Sequence, residues 1–172
     1  MSLSMYRASV PGFLQTLNAL SMILDKAEAY CTLKKIDQTA LLQTRLYPDM
    51  LPFSKQVQLT CDFAKNTVAR LSGVDLPKFP DQEKTIAELK ERIAQVIEAI
   101  KLVTPDKVEG TEDKDITFPV GGQPLTLKGE AYLINFALPN FYFHAATAYD
   151  ILRHCGLEIG KRDFLGRSEG RP

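Results

Sequence analysis

The chain contains no tryptophan, two histidines and three cysteines in 172 residues. Cys31, Cys61 and Cys155 cannot all pair, and none stands in a CxxC spacing of the kind zinc and redox sites use, so they read as small core residues. Two histidines are too few for a metal site made of imidazoles alone. Neither sign of charge is in excess, since 21 Lys plus Arg meet 21 Asp plus Glu. That balance argues against a broad basic surface, and with it against a nucleic-acid partner. Long apolar runs are missing too. AYLINFALPNF is interrupted by Asn135, Pro139 and Asn140 and is shorter than the roughly 20 residues that span a bilayer, so no membrane partner is expected. The opening MSLSMYRASVPGFL lacks the apolar centre of a secretory signal, and a cytoplasmic location is the expectation. GxSxG, HExxH, GxGxxG and the phosphate-binding loop GxxxxGK are all absent, which removes the commonest hydrolase, zincin and nucleotide-binding signatures.

What is present is helical periodicity. With 45% hydrophobic and 24% charged residues, the chain has the balance of one globular domain over residues 1–172. Val10, Phe13, Leu17, Leu20 and Leu24 recur at three- and four-residue steps and predict a helix over residues 8–30, with Pro11 in its first turn. DQTALLQTRL, residues 37–46, reads as a short surface connector capped by Asp37. Val57, Cys61, Ala64, Val68 and Leu71 form a heptad stripe on a second long helix over residues 52–72, and Gly73 offers its C-cap. A loop with Pro77 and Pro80 leads to a third, over residues 82–103, whose stripe is Ile86, Leu89, Ile93, Val96, Ile100 and Val103. Ile116, Phe118, Leu125 and Leu127 alternate about Gly121 and Gly122, which predicts a β-hairpin over residues 115–128. The fourth long helix covers residues 130–155, with a kink at Pro139 and a stop at Gly156. The glycine-rich tail after it is expected to run over the surface and fray at its end.

On the fourth helix the stripe Ala137, Phe141, His144, Ala148, Ile151 and Cys155 has one polar member. His144 therefore faces inward, and Asn140 and Thr147 share its face. A histidine in such a place is most often a core residue satisfied by one hydrogen bond; the sharper alternative is a ligand or metal position. His154 lies about 15 Å further along the axis and cannot join His144 on one ion. The second helix offers Gln56, Gln58 and Asp62 beside its apolar stripe. Phe136, Phe141, Tyr142 and Phe143 crowd the start of the fourth helix, where core and interface packing is their ordinary role.

LPNFYFHAATAYDILRHCGLEIGKRDFLG and LYPDMLPFSKQVQLTCDFAKNTVARLSGVDLPKF resemble an uncharacterised bacterial domain-of-unknown-function family of the DinB/YfiT-like metalloenzyme superfamily. The resemblance implies an all-α fold, an up-down-down-up four-helix bundle with the small hairpin between its third and fourth helices. It also implies a homodimer, for which the surplus of aromatics on the fourth helix is a second reason. Better-known members of the superfamily hold a divalent metal with three histidines, one on the second helix and two spaced four apart on the fourth. By that resemblance His144 matches the later histidine, Asn140 stands at the place of the earlier one, and Gln56 is the nearest counterpart on the second helix. The implied triad is incomplete, with His144 its single conventional metal ligand. The expectation is thus a small-ligand pocket lined by Gln56, Asp62, Asn140 and His144. Its alternatives are a divalent-metal-dependent transferase or hydrolase with a degenerate site, and a structural or interaction dimer.

Overall fold

The computed structural model describes residues 4–166. Helix α1, Met5–Lys34, starts three residues before its expected first turn because Ser4 caps it, accepting from the Arg7 N–H. Pro11 therefore lies inside the helix rather than at its start. It is tolerated because Pro11 and Arg7 both face solvent, where water takes the carbonyl that proline cannot serve. The short helix α2, Gln38–Leu42, is capped by Asp37 as expected. It is not a surface connector, however: Leu41 and Leu42 are buried in the core.

Helix α3, Phe53–Ser72, ends at Gly73 in the left-handed conformation. Helix α4, Ile86–Lys101, begins four residues later than the expected 82. Thr85 and Glu88 form a reciprocal capping box there, which satisfies the first orphan N–H groups. Every residue of the expected α4 stripe, Ile86 to Val103, is buried. One turn of helix, α5 (Pro105–Val108), leads to the hairpin β1 (Asp115–Val120) and β2 (Gln123–Lys128). Gly121 and Gly122 both take positive φ, 57° and 81°, the requirement of a tight two-residue turn. Ile116 and Phe118 face the core while Leu125 is exposed, so β1 carries the buried side of the ribbon.

The last long helical stretch is composite. Helix α6 (Gly129–Tyr132) passes into a π-helical segment, Leu133–Ala137, and then into α7, Leu138–His154. Pro139 lacks an N–H and its ring clashes with the carbonyl four residues back, and the chain widens by one residue just before it. At the start of this stretch a Cβ on Gly129 would collide with the Thr111 carbonyl oxygen, while Glu130 N–H donates to the Glu112 carbonyl at 2.9 Å. Gly129→Ala should therefore lower stability by about 1–3 kcal/mol. Urea denaturation reads this directly, and an unmoved midpoint would show that the junction is not close-packed.

After α7 the chain does not run wholly over the surface. Leu157 and Ile159 are buried, and α8 (Lys161–Leu165) packs against α1. Asp163 turns back to accept from the Gly160 N–H and pairs with Lys26, so Lys161–Asp163 is the first turn of a helix docked on α1, with Lys161 and Arg162 exposed. The expectation of a fraying end falls on residues 167–172, outside the described residues. Cys31 and Cys61 are buried as free thiols and Cys155 is half-buried. Burial pushes Cys61 up to about 12, which keeps it a neutral core residue.

Candidate functional site

Helix α3 has two working faces. The apolar stripe Val57, Cys61, Ala64, Val68, Leu71 enters the core. A second stripe at the same spacing, Gln56, Thr60, Phe63, Thr67 and Arg70, lies beside it, and three of its members meet the stretch from Tyr132 to His144. Its threonines are satisfied within the helix, Thr60 donating to the Gln56 carbonyl and Thr67 to the Phe63 carbonyl. Its other members reach across. Arg70 donates to the Tyr132 hydroxyl at 3.0 Å, and Phe63 lies 6.0 Å from Phe136 and stacks on His144 at 5.5 Å, centroid to centroid.

The first member makes the decisive contact. Gln56, 1% exposed, places Oε1 2.7 Å from Nδ1 of His144, which is 9% exposed. Gln56 Nε2 donates to the Leu51 carbonyl at 3.1 Å. The amide is thereby oriented, its nitrogen committed to Leu51 and its oxygen left as an acceptor, so the imidazole proton sits on Nδ1. Burial pushes the His144 pKa below its ordinary value, favouring the neutral ring. Nε2 then carries a bare lone pair with no partner among the described residues. Arg92 Nε is the only fully buried side-chain polar atom without a partner among those residues, so Nε2 of His144 reaches the surface.

The other expected site residues go elsewhere. Asn140 donates Nδ2 to the Phe136 carbonyl at 2.7 Å, in the π-helical segment. Its Oδ1 is left without a partner among the described residues, on the same face as His144. Thr147 bonds back to the Phe143 carbonyl. Asp62 turns toward α4, where its Oδ1 lies 2.9 Å from Nη2 of Arg92. Gln58 follows it, donating to Glu83 at 2.8 Å.

Arg92 is the residue that sequence reasoning missed. It is 2% exposed and binds Asp62, Asp81 and Glu83 as well as the Pro80 carbonyl. Lys55 pairs with Asp81, and Lys65 donates to the Pro77 carbonyl beside the Phe79 ring, so the loop between α3 and α4 is stitched down by charge. Beside it opens a cleft of about 300 Å³ lined by Pro80, Glu83, Glu88, Glu91 and Arg92. Arg92 could have been suspected only from its place between Leu89 and Val96, since a charge there needs acids from a loop to survive burial.

Residues 5–165 match the family described as Domain of unknown function (DUF1993). The chain belongs to the DUF1993 family. It is also similar to the crystal structure of a DinB family member protein from Shewanella denitrificans, at 40% identity and a TM-score of 0.86, over 97% of this chain and 94% of that one. No curated protein matches it. The DinB resemblance implied a divalent metal, and the donors of this DUF1993 protein do not fit one. Asn140 has spent its amide nitrogen on a carbonyl and Asp62 is held by Arg92, which leaves His144 Nε2 without a second conventional ligand. Among the described residues no three His, Cys, Asp or Glu side chains come together where they could hold an ion. No helix among them is long and apolar enough to cross a membrane.

Proposed function

We propose that this DUF1993 protein binds a small molecule in a pocket between α3 and α7, where His144 Nε2 accepts a hydrogen bond from the ligand. The reading treats the four long helices as an up-down-down-up bundle, a form whose ligand sites lie between facing helices. What carries it is the relay from His144 through Gln56 to Leu51. That relay satisfies Nδ1, as a buried histidine requires, and leaves Nε2 as the acceptor a ligand would meet. The neutral imidazole is held in one tautomer before any ligand arrives, and preorganisation of this kind lowers the cost of binding.

Nitrogen-15 NMR of the imidazole tests the relay, with protonated Nδ1 and bare Nε2 as the expected pattern. Gln56→Leu should abolish that tautomer preference and lower stability by about 1–3 kcal/mol, because a buried N–H loses its acceptor. In a thermal-shift screen of small molecules, hits should vanish in His144→Ala and persist in His154→Ala, since His154 is exposed. A ring protonated on Nε2, or hits indifferent to His144, would sink the reading.

A second reading, self-association as a homodimer, is favoured by Ile134 and Phe143, which are 47% and 55% exposed on the composite helix. Light scattering should then give twice the 19.2 kDa chain mass, and Phe143→Glu should return the monomer. A monomer throughout at micromolar concentration would exclude it.

A further inference from the structure

The polar atoms left open beside α7 are all of one kind. His144 Nε2 and Asn140 Oδ1 are bare acceptors one helical turn apart, because their own donors are spent on Gln56 and the Phe136 carbonyl. No ionised side chain contributes to the shift of His144, which comes from burial alone. The rest of the surroundings is aromatic. Phe63 stacks on the imidazole, Phe143 stands edge-on to it at 5.3 Å, and Phe136 lies 6.0 Å from Phe63. Phe143 is more than half exposed and offers its ring to whatever occupies the site.

Each fact removes a class of ligand. Two bare acceptors repel carboxylates and phosphates, and no ionised side chain among the described residues acts on His144 to reward them. A full positive charge would be buried without a carboxylate opposite, which leaves only the ring faces to compensate it. An aliphatic body would cover the rings but leave both acceptors stripped of water. We propose that the site takes an uncharged, planar nitrogen heterocycle that carries N–H donors on its edge, its face against phenylalanine and its donors on His144 Nε2 and Asn140 Oδ1. This deepens the small-molecule reading above and rests on it.

Adenine is the probe, since it brings an exocyclic amine and a ring N–H at neutral charge. Purine lacks the amine, and benzoate is flat but carries only acceptors. In NMR titrations of the full chain, adenine should move the His144 Nε2 resonance, purine should bind more weakly, and benzoate should leave it still. A site built to accept a donor discriminates against the analogue without it. His144→Phe keeps a ring against Phe63 and should weaken adenine about tenfold or more. Should that variant fail to fold, Asn140→Leu decides, because Asn140 is only half-buried; unchanged adenine affinity there would overturn the proposal. If His144 shows the Nδ1–H tautomer but adenine leaves Nε2 unmoved, or benzoate binds as well, the ligand class falls and the site reading stands. If Nε2 carries the proton, both fall.

Discussion

Arg92→Leu should cost about 3–5 kcal/mol of folding stability, because it strips the nearly buried Glu83 and the more exposed Asp62 and Asp81 of the buried cation they share. The guanidinium is shared among Asp62, Asp81 and Glu83 at 2.8–3.0 Å and also binds the Pro80 carbonyl. The Glu83 side chain is 10% exposed and cannot recover its lost partner from water. Lys55 and Lys65 remain, but Lys65 is committed to the Pro77 carbonyl. The pH dependence has a sign. Burial works against ionised Glu83, yet the hydrogen bonds from Arg92, its own backbone and Gln58 outweigh it and hold the carboxyl below its usual value. Its stabilisation is thus present above the ordinary carboxylate range and is lost as pH falls through the lowered folded value. Asp62 goes the other way. Burial outweighs the pull of Arg92 and raises its pKa, so its ionised form is a cost near neutrality that is relieved as pH falls. Glu83→Gln should accordingly destabilise more than Asp62→Asn in urea at pH 7. The deficit of Arg92→Leu should shrink as the pH is lowered into the carboxylate range. A deficit below about 1 kcal/mol at pH 7 would show that the cluster is solvated.

The long helices and the hairpin were legible because each rests on a local pattern. The α4 stripe from Ile86 to Val103 and the Gly121-Gly122 turn follow from periodicity and φ preference alone. Boundaries moved where a cap outranked the pattern, as Thr85 and Glu88 did for the start of α4. Two misjudgements share one cause. Leu41 and Leu42, and then Leu157 and Ile159, are pairs of apolar residues in segments too short for a period, so their burial depends on what passes beside them. Arg92 was invisible for a related reason: its acids come from α3 and from a loop, and no spacing along α4 announces them. At the candidate site the inward turn of His144 was readable from its stripe. Its partner Gln56 was expected from the family resemblance and not from periodicity, which picks out only the apolar stripe of α3. Gln56 and Phe63 lie one heptad apart on the stripe beside it, and Arg70 a second heptad on. The π-helical widening at Leu133–Ala137 needs three dimensions as well, although Pro139 marked the place.

Phe141→Ala should remove about 3–5 kcal/mol, and the reason separates scaffold from site. Phe141 and Phe13 are both fully buried, with ring centroids 4.7 Å apart in an edge-to-face pair that joins α7 to α1. Toward α3, along the flank of the stripe that holds Phe141, His144 stacks on Phe63, which also meets Phe136 of the π-helical segment. Truncating Phe141 opens a cavity where its ring meets Phe13, in a close-packed interior that relaxes only in part. Part of the loss, about 0.5–1.5 kcal/mol, is specific to the aromatic pair and should appear as coupling in a double-mutant cycle of Phe13→Leu with Phe141→Leu. The Gln56–His144 hydrogen bond lies one turn further along that stripe, on its flank toward α3, and does not involve Phe141. The Nδ1–H tautomer of His144 should therefore survive in folded Phe141→Ala even as its melting midpoint falls. A loss under about 1 kcal/mol would mean the α1 side relaxes into the cavity. A change of tautomer would mean that α7 is positioned over α3 by its grip on α1.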